Sequence, residues 1–168
     1  MSLLAPLQIG CLIAFALLLV RAAWQDLRTM RIADTVSLSV VAAFVLWALS
    51  GLALGAMSLS TIGLSLVCAA ALFAAGGAAF AAGALGGGDV KLLAASSLFA
   101  GPGLLSDFLL VTALVGGALG VALLAGAPIG PVAAAPDPAV NTRLRSGLPY
   151  GPAIAAGGLW VAALLALR

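Results

Sequence analysis

The sequence predicts an all-α, polytopic membrane protein with six transmembrane helices. Of the 168 residues, 64% are hydrophobic and only 7% are charged, whereas about a quarter of the residues of a soluble domain are charged. The apolar residues form runs, most of which reach the roughly 20 residues that a membrane-spanning helix needs. The composition therefore excludes a soluble binding module, and the net charge of +2 gives no indication of a nucleic-acid partner.

The six helices follow from the positions of these runs. A polar, basic loop follows the first run, and a short Ser/Thr turn follows the second. The breaker Gly101-Pro102-Gly103 separates the fourth run from the fifth, and a proline-rich loop precedes the sixth. The predicted helices are residues 3–23, 35–56, 62–82, 90–100, 104–126 and 148–167.

The fourth run is too short to cross a membrane alone. Residues 90–100 rise roughly 17 Å at about 1.5 Å per residue, whereas the hydrocarbon core is about 30 Å thick. The run can cross only if the glycine-rich residues before it also lie within the membrane. We therefore expect Asp89 to lie slightly below the membrane surface.

The positive residues predict the orientation. Loops 24–34, 83–91 and 127–147 share one side of a six-helix arrangement and, with their flanks, hold every basic residue except Arg168. Positive residues concentrate in cytoplasmic loops, so we expect these loops to face the cytoplasm and both termini to face outward. Asp26 and Asp89 then lie on the same cytoplasmic face.

Asp26 and Asp89 are the candidate catalytic residues. The chain has five acidic residues and no His, and an ionisable group at a membrane is expensive and indicates function by default. Two carboxyl groups held close share one proton, so one can take a proton from water while the other polarises a carbonyl. This pattern indicates acid/base activation of water.

Each aspartate also has a structural interpretation. Asp89 is a candidate N-cap of the fourth helix. Asp26 is a candidate solvated acid that pairs with Arg28 or Arg31 in the loop. Both interpretations remain open from the residues alone.

Three further polar residues have alternative interpretations. Asp34 is interpreted as the N-cap of the second helix, with a supporting polar role as the alternative. Lys91 is expected to extend to the headgroups, or to interact with Asp89. Tyr150 is either an interfacial residue or a wall of the active cleft. The adjacent glycines 86–88 are expected to adopt backbone conformations closed to other residues and to leave room for a peptide.

These residues carry a resemblance to a known family. The run Gly86-Gly87-Gly88-Asp89 fits the GxGD signature of intramembrane aspartyl proteases, and its continuation Val90-Lys91-Leu92 resembles that of the type IV prepilin peptidases. The run Asp26-Leu27-Arg28-Thr29-Met30-Arg31-Ile32 is similar to that family's first aspartate motif. Pro149-Tyr150-Gly151-Pro152-Ala153 opens the last helix as in its members.

The resemblance implies a membrane endopeptidase that removes the basic leader of prepilins at the cytoplasmic face of the bacterial inner membrane, without a cofactor or metal. Asp26 and Asp89 would be the catalytic pair. Residues with implied supporting roles are Gly86, Gly88, Lys91, Arg28, Asp34 and Tyr150. Residues 1–168 would form one domain without an N-methyltransferase portion, which resembles the small form associated with Flp/Tad pili. Ala33-Asp34 departs from the Pro-Asn that is frequent in the family.

A second function remains open at this stage. A small proton-coupled transporter, or a pilus assembly factor, would use Asp89 as a proton relay. Such a protein would more naturally show internal repeats or acids near the middle of the membrane, and the sequence has neither.

Overall fold

The computed structural model describes residues 4–127 and 149–167. These residues form helices joined by short turns, as the apolar composition predicts. The helices are α1 (Leu4–Thr29), α2 (Asp34–Ala53), α3 (Leu59–Ala81), α4 (Gly87–Leu124) and α5 (Gly151–Ala166). The predicted proline-rich loop lies mostly outside the described residues.

The helices pack as a bundle with two distinct ends. The last turn of α1 and the first turns of α2, α4 and α5 meet at one end, which we call the aspartate end because it holds Asp26 and Asp89. At the opposite end, Gln8 of α1, Thr61 of α3, Gly101 of α4 and Ala166 line a common cavity of about 750 Å³. Consecutive helices therefore run in alternating directions.

Helix α4 folds back on itself at Gly101. This residue has φ 52° and ψ −168°, a backbone conformation outside the helical region, and Pro102 follows it. Leu93, before the kink, and Gly117, after it, line the same cavity at the aspartate end. We call residues 87–100 the first arm of α4 and residues 102–124 its second arm. A straight helix of 38 residues would extend about 57 Å, nearly twice the hydrocarbon thickness.

The described part of the chain thus contains five helices where the sequence predicted six. The predicted fourth and fifth helices belong to one α4, because helical structure continues on both sides of Gly101 and Pro102 requires no backbone N–H donor at the start of the second arm. The predicted position of the breaker, Gly101-Pro102-Gly103, is correct, but these residues kink α4 and do not form a loop between two helices.

Helix α1 is longer than predicted. The sequence placed its end at Ala23 and assigned Asp26 to a loop, whereas the helix continues to Thr29. Residues 24–29 contain no Gly or Pro, so nothing in them ends a helix. The helix ends at Met30, which has a φ of 52°, and the Met30 N–H donates to the carbonyl of Asp26. Asp26 therefore lies in the last turn of α1.

An aromatic cluster joins the centre of the bundle. Phe99, in the first arm of α4, stacks on Phe15 of α1 with ring centroids 4.1 Å apart. It also contacts Phe44 and Trp47 of α2, each with centroids 5.5 Å away. Aromatic pairs in such arrangements add about 0.5–1.5 kcal/mol beyond the burial of their area. The cluster fixes α1, α2 and α4 relative to one another.

Glycines allow α5 to approach its neighbours closely. A Cβ on Gly157 would contact Thr112 Oγ1 and would lie 2.7 Å from the carbonyl oxygen of Phe108, both in the second arm of α4. A Cβ on Gly158 would lie 2.5 Å from Leu19 Cδ1 of α1. This glycine pair therefore has a packing role, since small residues allow helix backbones to approach in lipid.

The chain is a multi-pass membrane protein. Helices α1 to α4 are long and apolar enough to cross a membrane, and α5 is a shorter apolar helix. Large apolar side chains are exposed on the outside of the bundle, among them Leu17, Leu38, Val67 and Leu114. Lipid is the solvent that such a surface requires.

We predict that Gly157→Ala destabilises the bundle, whereas the matched variant Gly77→Ala does not. The added methyl group at position 157 meets a backbone carbonyl that cannot move independently, while position 77 has nothing within 4 Å. Overpacking of this kind costs about 1–3 kcal/mol. Thermal unfolding of the proteins purified in detergent checks the prediction, and equal melting temperatures for the two variants would contradict it.

Candidate active site

Asp26 is buried in the last turn of α1. Its side chain is only 4% exposed, and its Oδ2 accepts a hydrogen bond of 2.8 Å from the backbone N–H of Gly151. Gly151 is the first residue of α5, so its N–H has no partner within the helix. The N-terminus of a helix also carries a partial positive charge, which suits a carboxylate. The interpretation of Asp26 as a solvated acid paired with Arg28 or Arg31 is wrong.

Gly151 belongs to the site, although its sequence context does not indicate this role. A Cβ at this position would lie 2.7 Å from Asp26 Cβ and 2.8 Å from Oδ2. Only glycine therefore lets the start of α5 approach Asp26 closely enough to donate its N–H. The Pro149–Pro152 run indicates where the last helix begins, but it does not indicate that Gly151 contacts Asp26.

Asp89 is the third residue of α4. The N-cap of this helix is Gly86, so the interpretation of Asp89 as the N-cap is wrong. The carboxylate turns back toward the backbone N–H of Gly86, as acidic residues at the third helical position do. The other oxygen, Oδ1, is buried and has no hydrogen-bond partner. Such an atom requires a water molecule or a ligand.

The glycines before Asp89 are required for close contacts. A Cβ on Gly86 would lie 2.7 Å from Asp89 Oδ2, and a Cβ on Gly88 would lie 3.1 Å from the carbonyl oxygen of Ile32. At Gly87 the nearest atom would be 3.5 Å away, in the ring of Phe80. The expectation of unusual backbone conformations is wrong, because none of these glycines has a positive φ. The middle position has room for a side chain, whereas a side chain at position 86 or 88 would displace the Asp89 carboxylate or the Ile32 backbone.

Gly88 packs on the short connection between α1 and α2. The contact is with Ile32, whose backbone N and O atoms would both lie within 3.4 Å of a Cβ at position 88. Ile32 is 9% exposed. In the sequence Ile32 is only the last residue of the first aspartate motif, and its contact with the glycine run depends on tertiary structure that no local pattern reveals.

A cavity of about 510 Å³ lies beside Asp89. Its walls are the two arms of α4 and the start of α5, with Tyr150 and Gly116 among the lining residues. Tyr150 precedes Gly151, the hydrogen-bond donor to Asp26, so the cavity that Asp89 lines adjoins the contact between Asp26 and the start of α5. The structure therefore brings together Asp26, Asp89, Gly86, Gly88 and Tyr150.

Asp34 and Lys91 form an ion pair beside this site. Lys91 Nζ lies 2.7 Å and 2.8 Å from the two carboxylate oxygens of Asp34. Asp34 is the first residue of α2, and the N-cap is Ala33, so the N-cap interpretation of Asp34 is wrong. Lys91 therefore contacts Asp34, so it does not simply extend to the headgroups. The pair connects the start of α4 to the start of α2.

Arg28 is not part of the carboxylate cluster. It is exposed, and its guanidinium carbon lies 4.3 Å from the centroid of the Trp24 ring, one turn earlier on α1. Within residues 4–127 and 149–167 the Lys91–Asp34 contact is the one ion pair. The position of Arg28 is that of a cation–π partner at the membrane boundary.

Comparison with known proteins identifies the family. The profile of the Type IV leader peptidase family matches residues 13–121, which is well over half of the chain and includes both Asp26 and Asp89. The chain belongs to the type IV leader peptidase family. No curated protein and no solved structure matches the chain significantly. Membership makes it a peptidase of the membrane and confirms the family resemblance seen in the sequence.

We predict that Gly88→Ala lowers peptidase activity by about tenfold or more, whereas Gly87→Ala retains nearly all of it. The methyl group at position 88 pushes the start of α4 away from Ile32 and displaces Asp89, and a displacement that raises the barrier by about 1.4 kcal/mol slows the reaction tenfold. Leader cleavage in membranes at equal protein level measures both variants. Equal activity of the two would contradict the close-contact explanation.

Proposed function

We propose that this protein is an aspartyl endopeptidase that cuts the basic leader from prepilins of the Flp/Tad type at the cytoplasmic boundary of the inner membrane. The observation that carries the proposal is the pair of a buried Asp26 and a half-buried Asp89, with the buried, unpartnered Oδ1 of Asp89 beside a cavity. An unpartnered buried carboxylate oxygen is suited to a water molecule or a substrate carbonyl.

The proposed reaction divides two roles between the aspartates. Each carboxyl group has one backbone N–H partner, but Oδ1 of Asp89 is also buried without a partner, so the single proton of the pair is best held on Asp89. Asp26 takes a proton from water, whose oxygen bonds to the scissile carbonyl carbon, while Asp89 gives its proton to the carbonyl oxygen. The C–N bond then breaks, Asp26 passes its proton to the leaving nitrogen, and Asp89 regains a proton from the tetrahedral intermediate.

The cavity beside Asp89 supports an apolar peptide as substrate. Apart from Asp89, Thr112 and Tyr150, its walls are apolar or glycine. Glycines in the second arm of α4, at positions 116, 117 and 120, leave room for a main chain. A prepilin offers an apolar helix preceded by a basic leader, so the junction of the two would meet the aspartates at the membrane boundary.

The two arms of α4 support six membrane crossings. Each arm runs between the aspartate end and the opposite end, so the bundle of five helices has six helical segments. Six crossings would put both termini on the side opposite the aspartate end, and the basic residues near the aspartate end favour the cytoplasm for that end. In this arrangement Arg28 lies at the boundary, and the Asp34–Lys91 pair supports the site by joining the start of α2 to the start of α4.

The proposed peptidase is favoured over a proton-coupled transporter or an assembly factor. Both carboxylates lie at one end of the bundle, where a leader would arrive from the cytoplasm, and the family is one of peptidases. A proton relay through the membrane would need acids along its length. No described observation favours the transporter.

We predict that Asp26→Asn and Asp89→Asn each abolish leader cleavage, because either change removes a proton acceptor or donor that the reaction needs. Co-expression of each variant with an Flp-type prepilin, followed by the mobility shift of the processed pilin, measures the outcome. Asp107→Asn, at the opposite end of the bundle, serves as the matched control and retains wild-type cleavage. Full processing by either site variant would reject the two-aspartate mechanism.

We predict opposite accessibility for cysteines placed at the two ends. In a background with Cys11 and Cys68 changed to Ala, the exposed positions Thr29 and Ser60 are each changed to Cys. A membrane-impermeant maleimide applied from outside labels Ser60→Cys, and it labels Thr29→Cys only after the membrane is opened. The reverse pattern would place the aspartate end outside.

A further inference from the structure

A second cavity of about 490 Å³ lies between α2, α3 and the first arm of α4, away from both catalytic candidates. Helices α2 and α3 each pack against α4, and this leaves an open groove between them. The floor is Ala94, Ala95 and Leu98, and exposed walls include Leu38 and Phe73. Asp26 and Asp89 do not line it. We call this cavity the α2–α3 groove.

One buried hydroxyl in the groove has no partner. Ser37 lines the groove and is only 6% exposed, and its Oγ makes no hydrogen bond. A buried polar atom without a partner costs about 1–3 kcal/mol, so an occupant with a hydrogen-bonding group is favoured here. The other lining residues, apart from the ion pair at the mouth, are apolar, and apolar cavities of this kind do not hold water.

The mouth of the groove carries both signs of charge. Asp34 and Lys91 line it, and their side chains are 64% and 46% exposed. Asp34 is the first residue of α2, and Ser37 lies three residues further, about 4.5 Å deeper along the helix. From the mouth inward, the groove thus offers a cation and an anion, then a hydroxyl, then apolar walls.

We propose that the α2–α3 groove binds a phospholipid with a zwitterionic headgroup that bears a primary ammonium, such as phosphatidylethanolamine. The phosphate contacts Lys91, the ammonium contacts the Asp34 carboxylate, and Ser37 donates to an ester carbonyl of the glycerol backbone. One acyl chain lies on Leu98 and Phe73. The order of groups along such a lipid, from headgroup to ester to chain, matches the order in the groove.

A transmembrane helix from a substrate fits these features less well. The carbonyl groups inside a helix already accept one hydrogen bond and are surrounded by the side chains of that helix, whereas a lipid ester carbonyl is free to accept from Ser37. A basic leader could pair with Asp34 but would bring no anion to Lys91, whereas a zwitterionic headgroup supplies a partner for each. The lipid is therefore the occupant that the groups in the groove favour.

Native mass spectrometry of the purified protein tests the proposal. The detergent-solubilised protein is mixed with phosphatidylethanolamine and phosphatidylcholine that have identical acyl chains and equal concentrations. We expect wild type to bind phosphatidylethanolamine preferentially, by about tenfold if one charge-assisted hydrogen bond is involved. Asp34→Asn removes this preference, because a quaternary ammonium has no N–H to donate. Ser37→Ala lowers the binding of both lipids several-fold.

Matched variants separate the groove from its surroundings. Ala70→Phe, on an exposed groove wall, fills the groove and abolishes binding, while Ala71→Phe, exposed and outside it, does not. Ser39→Ala is the control for Ser37→Ala, because Ser39 is exposed and bonds the Thr35 carbonyl.

Equal binding of the two lipids to wild type, or lipid binding that survives Ala70→Phe, overturns the proposal. The proposal is also overturned if the Ala70→Phe variant still binds lipid but no longer copurifies with prepilin. The occupant of the groove would then be a substrate helix. The assay contains no prepilin in its lipid arm, so its result is independent of the proposed peptidase activity.

Discussion

The hydrogen bond from the Gly151 N–H to Asp26 is the contact on which the site depends. It joins the end of α1 to the start of α5 across 125 residues of sequence, and it holds a buried carboxylate in one orientation. It also places Tyr150, the preceding residue, at the wall of the cavity that Asp89 lines. Glycine at position 151 makes the contact possible, and glycines 157 and 158 let the rest of α5 follow α1 and the second arm of α4 closely. Without this approach, the two carboxylates would belong to separate surfaces.

Most of the fold could be predicted because transmembrane helices can be recognised from their apolar composition. The breaker at Gly101 was located from Gly-Pro-Gly alone, and the end of α3 at Ala81 lies one residue from its predicted limit. The extent of α1 could not be predicted, since polar residues at a membrane boundary indicate a change of solvent and not the end of a helix. The Trp24–Thr29 segment stays helical because the backbone hydrogen bonds of α1 continue where the chain passes from lipid into water.

The site was predictable in part. Asp26 and Asp89 could be found because acidic residues are rare in this chain and these two flank apolar runs on the same predicted face. Their partners could not be found in the same way, since Gly151 and Ile32 act through their main chains and leave no chemical signature in the sequence. Asp34 was misinterpreted as a helix cap because the competing partner, Lys91, is 57 residues away in the chain.

The kink at Gly101 has a consequence for the membrane around the protein. The first arm of α4, residues 87–100, is about 21 Å long at 1.5 Å per residue, which is shorter than the roughly 30 Å hydrocarbon layer. A lipid bilayer responds to such hydrophobic mismatch by thinning locally. For the proposed peptidase, such thinning would bring water and headgroups to the level of Asp89, so that hydrolysis would take place at a peptide bond whose neighbouring apolar helix has not left the lipid.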